Sequence, residues 1–341
     1  MSDVPPRRVT LDDVGAAAGV SAAAASLALR GKPGVGEATR QRILSVASDL
    51  GYHVRPGKDA APAMTIGLLL TTRGEQPDPS TGAMVASITR ACADAGADVR
   101  LGTLAVDDDD EPVQIPRLTL QADVDGFLVV GPWLSKTACG LFGGRPVVAI
   151  DGDVEDRDVC SSVVGDDAGG TAAATGALIA AGHRRILLAG APEDATATVV
   201  ERRRGYVEAM ERADLAPAFV DQPPSDPDDV AAAVMVELRR RRFTAVVAVD
   251  DSVGLAVIAA AARRNLAVPA ALSITGFDDI EATRMVRPRL TTVTVDKPAM
   301  GRLATAMLRH RIADPDDPPV TVLQRARLLA RETIAPPVTS P

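Results

Sequence analysis

Cysteine is scarce in this chain of 341 residues. The three it has, Cys92, Cys139 and Cys160, are odd in number, widely spaced and free of any CxxC. That spacing argues against a disulfide frame or a thiolate metal site and leaves all three as small buried apolar residues. Histidine is equally rare, with His53, His183 and His310 far apart. No run reaches the ~18 apolar residues that span a membrane. The opening MSDVPPRRVTLDD also lacks the apolar core of a secretion signal. A cytoplasmic protein without membrane contact is expected. Catalytic signatures are missing too: there is no GxxxxGKS or GxxxxGKT phosphate loop and no GxSxG elbow. The stretch GDDAGG (165–170) has the wrong glycine spacing for GxGxxG and reads as a helix cap. With no nucleophile–base pair, metal set or cofactor motif, enzymatic activity is not expected, and no cofactor is assigned.

What is present starts near the N-terminus. Thr10 can cap a helix bearing Leu11, Val14 and Ala18 on one face, with Asp13 completing a capping box. Gly19-Val20-Ser21 then breaks it: Gly19 suits a left-handed turn, Val20 is an apolar plug, and Ser21 caps a second helix running to about Leu29. A third helix, Ala38 to Leu50, places Ile43, Val46, Ala47 and Leu50 on one stripe and stops at Gly51. Two helices joined by so short a turn form the helix-turn-helix that lays its second helix in the DNA major groove. Charge agrees. The whole chain carries −8, but residues 1–58 hold eight Lys/Arg against five Asp/Glu, a net of +3, which leaves −11 on the rest. A basic head on an acidic body suits phosphate contact through the head alone.

After Tyr52 the chain is broken by Pro56, Gly57 and Pro62 and reads as a linker. From Thr65 onward, short aliphatic runs (Ile66–Leu70, Gly126–Val130, Val147–Ile150, Ile186–Leu188, Ala245–Val249, Ser273–Thr275) alternate with alanine-rich helical stretches. That texture predicts parallel sheets covered on both faces, in two doubly wound lobes with a ligand cleft at the carboxyl ends of the strands. The expected division is a head at 1–58, a linker at 59–64, a core at 65–335 and a tail at 336–341. Within the core, one lobe takes 65–164 plus 295–318 and the other 165–294 plus 319–335.

The ordered motifs VTLDDVGAAAGVS (9–21), SLALRG (26–31), TRQRIL (39–44), LGY (50–52), DGFLV (125–129), PVVAID (146–151), GHRRI (182–186), RRRGY (202–206), VPAALSITGFDD (268–279), LTTV (290–293) and LARET (329–333) span nearly the whole chain. In that order they resemble the LacI/GalR family of transcriptional regulators. The resemblance implies a helix-turn-helix head on a core like periplasmic sugar-binding proteins, with three chain crossings between the lobes. It places the effector cleft on Asp151, Arg202, Asp250 and Asp278, with Lys297 as a further cleft residue. The residues themselves support this, since Asp151, Asp250 and Asp278 each follow an apolar run and so stand at strand ends. Carboxylates with one guanidinium suit a polyol, although each acid could instead only cap the next helix. Trp133 could stack on a sugar face or fill the core. His183 matches a structural motif of the family at a helix-to-strand turn.

Two departures stand out. The positions where the family reads base edges are Ala22 and Ala23, and Ala24 replaces a phosphate-holding threonine. Alanine offers no hydrogen bond, so direct readout is poor. Phosphate contact then falls to Thr10, Ser21, Ser26, Arg30, Thr39, Tyr52 and Arg55, with Leu11 beside them. The linker also lacks the leucine of the family's hinge helix, which wedges into the minor groove, and is cut by Pro62. The expected protein is a ligand-responsive repressor, binding a pseudo-palindromic operator as a homodimer and a sugar or polyol in its cleft. The rival is a sensor core whose weakened head binds DNA without selectivity or acts through a partner protein.

Overall fold

The computed structural model describes residues 9–29, 33–50, 52, 64–72, 81–107, 109–131, 133–193, 195–241 and 243–338. The chain forms two compact units, 1–63 and 64–341. Among the site residues expected above, Arg30 and Arg55 lie outside the described residues, as does the linker up to residue 63.

The head is built from α1 (Leu11–Ala18), α2 (Ala22–Leu29) and α3 (Glu37–Asp49). Thr10 caps α1 reciprocally with Asp13, and Gly19 ends it at φ 67°. Ser21 Oγ accepts from the Ala24 amide at 3.2 Å and starts α2. The turn is tight enough that a Cβ on Gly15 would meet the Val20 carbonyl oxygen at 2.9 Å. Val14, Ala18, Ala25, Ala28, Ile43 and Ala47 form the buried core. From α3, Arg42 Nε donates to Ala18 O at 3.2 Å and Arg40 Nη1 to Ala28 O at 3.1 Å. Two cations thereby satisfy carbonyls at the carboxyl ends of α1 and α2, where the helix dipoles favour positive charge.

The core starts with β1 (Thr65–Thr72), α4 (Thr81–Asp94), β2 (Asp98–Ala105), β3 (Gly126–Val130), β4 (Trp133–Leu134), α5 (Lys136–Gly140), β5 (Val147–Ile150), β6 (Asp153–Val154) and β7 (Ser161–Gly165). It continues with α6 (Asp167–Ala180), β8 (Ile186–Ala189), α7 (Ala197–Arg212), β9 (Phe219–Val220), α8 (Pro227–Arg241), β10 (Ala245–Ala248), α9 (Asp251–Ala262), β11 (Ser273–Phe277), α10 (Ala282–Met285) and β12 (Thr291–Thr294). It closes with α11 (Lys297–Ala313), β13 (Thr321–Gln324) and β14 (Arg327–Leu329). One six-stranded sheet runs β13-β7-β5-β3-β1-β2 and the other β14-β12-β11-β10-β8-β9. All pairs are parallel except β14 against β12. Side chains alternate between faces, so Phe127 and Val129 of β3 enter one cluster while Leu128 and Val130 enter the other.

One expected boundary is wrong. Residues 319–335 do not all join the second lobe, because β13 pairs with β7 (Thr321↔Ser162) and so forms the edge of the first sheet. The Ser162 and Thr321 hydroxyls meet there at 3.0 Å. The third crossing therefore falls at 325–326, between β13 and β14.

Two residues of the second lobe fix its geometry. His183 is buried, with Nδ1 2.9 Å from Thr244 Oγ1 and Nε2 2.9 Å from Ala335 O. A carbonyl can only accept, so Nε2 carries the proton, and the ring is a structural tie for the C-terminal segment. Burial holds His183 below the ordinary histidine pKa. Gly205 lets α7 close on α6, since a Cβ there would lie 2.0 Å from Ala168 O. Gly205→Ala is accordingly expected to lower stability by at least the 1–3 kcal/mol, roughly, of ordinary overpacking. Chemical denaturation would check this, and an unchanged midpoint would contradict it.

Candidate functional site

In the head, Ser21 and Ala23 are exposed on α2, while Ala22, Ala24 and Ser26 are half-buried. Thr10 is exposed and Leu11, Thr39 and Tyr52 are half-buried, Leu11 and Tyr52 packing against the head core. The outer face of α2 thus presents methyl groups, with Ser21 at its start as the exposed hydroxyl.

In the core, a cavity of about 480 Å³ opens between the lobes. Trp133, Asp151, Gly152, Asp153, Arg157, Val164, Gly165 and Leu323 line it from the first lobe, and Asp167, Ala197, Thr198, Val200 and Glu201 from the second. Asp151 follows β5 with φ 67°, and Asp278 follows β11 with φ 103°. Left-handed backbone is costly for a residue with a Cβ and concentrates at sites where the chain is held for a purpose. Among the described residues no hydrogen bond reaches the Asp151 carboxylate. Burial pushes its pKa up to about 7, helped by the charges of Asp167 and Asp278 and opposed by Lys297 and Arg202. Near neutral pH this side chain can either donate or accept a hydrogen bond.

Behind the cavity Arg202 organises the charges. Its Nε donates to Asp167 Oδ1 at 2.7 Å, Nη1 to Val249 O at 2.9 Å and Nη2 to Asp278 Oδ1 at 3.0 Å. The guanidinium also stacks 3.8 Å above the Phe277 ring centroid. Burial works against its charge, but Asp278 and Asp167 outweigh that and hold its pKa above the usual range. Asp167 sits at the start of α6, and burial raises its pKa despite the Arg202 contact. The close approach permitted by Gly205, one turn along α7, brings Arg202 to Asp167. Lys297, buried at the start of α11, donates from Nζ to Asp278 O at 2.9 Å and so bridges the lobes.

The six expected cleft residues therefore divide. Asp151 and Trp133 line the cavity, whereas Arg202, Asp278 and Lys297 form a buried charge network beside it. Asp250 caps α9, with Oδ1 accepting from the Val253 amide at 2.8 Å, and adds its charge to the field on Arg202. Sequence reasoning missed Asp167. It read 165–170 as a cap, and Asp166 does cap α6, accepting from the Gly169 amide at 2.8 Å. The signal was the second aspartate, one position further on, which a single cap does not need. Among the described residues no group of three or more His, Cys, Asp or Glu is placed to hold a metal, and no helix is long and apolar enough to cross a membrane.

Residues 10–54 match the bacterial regulatory proteins of the lacI family, and residues 175–334 match a periplasmic binding protein-like domain. The ribose operon repressor of Haemophilus influenzae is 26% identical over 333 residues, covering 95% of this chain and 98% of its own. The solved complex of the transcriptional regulator CelR with cellobiose superposes with a TM-score of 0.66 at 26% identity, covering 96% of this chain and all of that one. The lac repressor dimer bound to operator shares the fold, with a TM-score of 0.67 at 22% identity, again over 96% of this chain and 100% of that one. With a lacI-type helix-turn-helix head and a periplasmic-binding-protein-like core in one chain, this protein belongs to the LacI family of transcriptional regulators.

Proposed function

We propose that this chain is a repressor of the cytoplasm, not an enzyme, whose operator binding is set by a sugar or related polyol held between its lobes. The carrying observation is the cavity itself: carboxylates of opposite lobes, Asp151 and Asp167, line one space, with the Arg202 fork behind it. Hydroxyl groups donate to carboxylates and accept from guanidinium, so a polyol could engage both lobes at once. Trp133 on the cavity wall offers an apolar face for a sugar ring. Ribose and cellobiose in the names of similar proteins point to the same ligand class. A ligand preferring one lobe arrangement shifts the equilibrium only by its differential affinity, and the Lys297–Asp278 bridge is one contact that such a shift would alter. One head offers few contacts, so a homodimer on a two-fold operator is the working form.

The methyl-faced α2 favours a second reading, in which the head grips phosphates but discriminates bases poorly. Fluorescence anisotropy of the full chain on its own upstream DNA tests both. Affinity is expected to fall at least tenfold between about 50 and 200 mM salt, the mark of phosphate contact, and to respond to a sugar in a ribose, cellobiose and polyol panel. Equal affinity for a shuffled duplex would support the second reading. Salt-independent or undetectable binding would remove the repressor assignment.

A further inference from the structure

Two cysteines join the segments that carry Trp133 and Asp153 into the cavity wall. β4 pairs with β6, Trp133 opposite Asp153 and Leu134 opposite Val154. The Glu155 amide extends this by donating to Leu134 O at 3.0 Å, and the Glu155 carboxylate accepts from the Lys136 amide at 2.7 Å. These contacts bring α5 alongside the turn before β7, so Cys139 and Cys160 enter one buried cluster with their sulfurs 2.8 Å apart. Sequence spacing had set them apart, and the strand pairing brings them together. Closing to the ~2 Å of a sulfur–sulfur bond takes less than about 1 Å of movement.

The structure assigns Cys139 and Cys160 as a modification site, a reversible disulfide that locks the cavity wall bearing Trp133 and Asp153. Their roles differ. The Cys160 thiol donates to Cys139, which holds the Cys139 pKa below the ordinary thiol range and Cys160 above it. Cys139 also keeps 6% of its surface exposed against 1% for Cys160, so an oxidant meets it first. With a hydroperoxide as oxidant, the Cys139 thiolate attacks the terminal peroxide oxygen. The O–O bond breaks, and the leaving oxygen departs as water or alcohol, leaving a sulfenic acid on Cys139. Cys160 sulfur then attacks Cys139 sulfur, the S–O bond breaks, and hydroxide leaves as water with the Cys160 proton. Two thiols lose two electrons and one peroxide gains them; a dithiol reverses the step by exchange.

Cys92 is an internal control, since it is buried in the other cluster of the first lobe and lies 3.6 Å from Thr305 Oγ1. The test is hydrogen peroxide treatment of the full chain, followed by thiol counting under denaturing conditions and peptide mapping. Reactive thiols are expected to fall from three to one, with a mass loss of about 2 Da, a Cys139–Cys160 crosslinked peptide, and full reversal by dithiothreitol. Cys160→Ser is expected to accumulate a sulfenic acid trappable by dimedone at Cys139, and Cys139→Ser to trap none at Cys160. Three thiols remaining at a dose that oxidises exposed methionines, or crosslinks that involve Cys92 or a second chain, would overturn the assignment.

Discussion

Arg202→Ala is expected to cost the core about 3–5 kcal/mol of folding stability, the loss typical of leaving a buried charge uncompensated, and to abolish the response to ligand. The side chain is only 12% exposed and sits between carboxylates with 11% and 16% exposure. Truncation strands Asp167 and Asp278 together in a poorly solvated space and uncovers the Phe277 ring. Stability and binding would then fall together, so the single variant does not separate them. A charge-matched variant does: Arg202→Met with Asp167→Asn and Asp278→Asn removes the whole triad. Replacing a buried ion cluster by well-packed hydrophobic groups of similar volume is often neutral or stabilising, and the two asparagines keep the shape of the aspartates while removing their charge. The triple variant should therefore melt close to the parent yet stay unresponsive to sugar. A parental response in it would remove Arg202 from the effector site, and parental stability in Arg202→Ala would refute the buried triad.

Stability itself is expected to decline as pH rises from mildly acidic to alkaline. Burial pushes Asp251 up to about 8, even though Thr292 Oγ1 donates to it at 2.5 Å and the Ile280 amide at 2.9 Å, and Asp151 stands at about 7. Both carboxyls titrate near 4 in the unfolded chain. Between about pH 4 and 8 the folded state therefore binds more protons than the unfolded one, and stability falls as pH rises. His183 acts in the opposite sense. Its folded pKa is lowered, so its contribution is complete above the unfolded value of about 6.5 and is lost as pH falls below it. Two raised carboxyls outweigh one lowered imidazole, so stability falls on the order of 2–4 kcal/mol between about pH 6 and 8.5. Thermal melts from pH 5 to 9 would show it. Asp151→Asn should flatten the alkaline limb and stabilise the protein above pH 7; an unchanged limb would show that Asp151 is ionised throughout.

The head was readable because local chemistry decides it. Thr10, Gly19 and Ser21 are a cap, a turn and a cap whose roles need no distant partner. Six inner strands were readable because strands buried on both faces are written as aliphatic runs, whereas β7 and β12, rich in serine and threonine, were not. β2 was not, since Leu104 alone is fully buried along Asp98–Ala105 and an edge strand needs no continuous run. β13 shows the limit of pattern most plainly: its composition marks an extended segment but does not say which sheet will pair with it. In the cleft, Asp151 and Arg202 were legible from strand ends and motif position. Asp167 was hidden behind the capping aspartate before it, because the approach of α7 that recruits it depends on Gly205, far along the chain. The Cys139–Cys160 contact depends likewise on a two-residue strand pairing, too short for any periodicity to announce.

The placement of β13 bears on how the chain can be made. Neither lobe is a continuous piece of sequence: the first sheet lacks its edge until Thr321–Gln324 is synthesised, and the second until Arg327–Leu329. A nascent chain emerging at about 5–20 residues per second cannot finish one lobe while the ribosome makes the other. Both must mature together, once the chain through Leu329 has left the tunnel. The exposed flank of β7 is then an open template for pairing during translation, so premature termination between the two crossings, after residue 296 and before 321, should yield aggregates and not a functional half-protein.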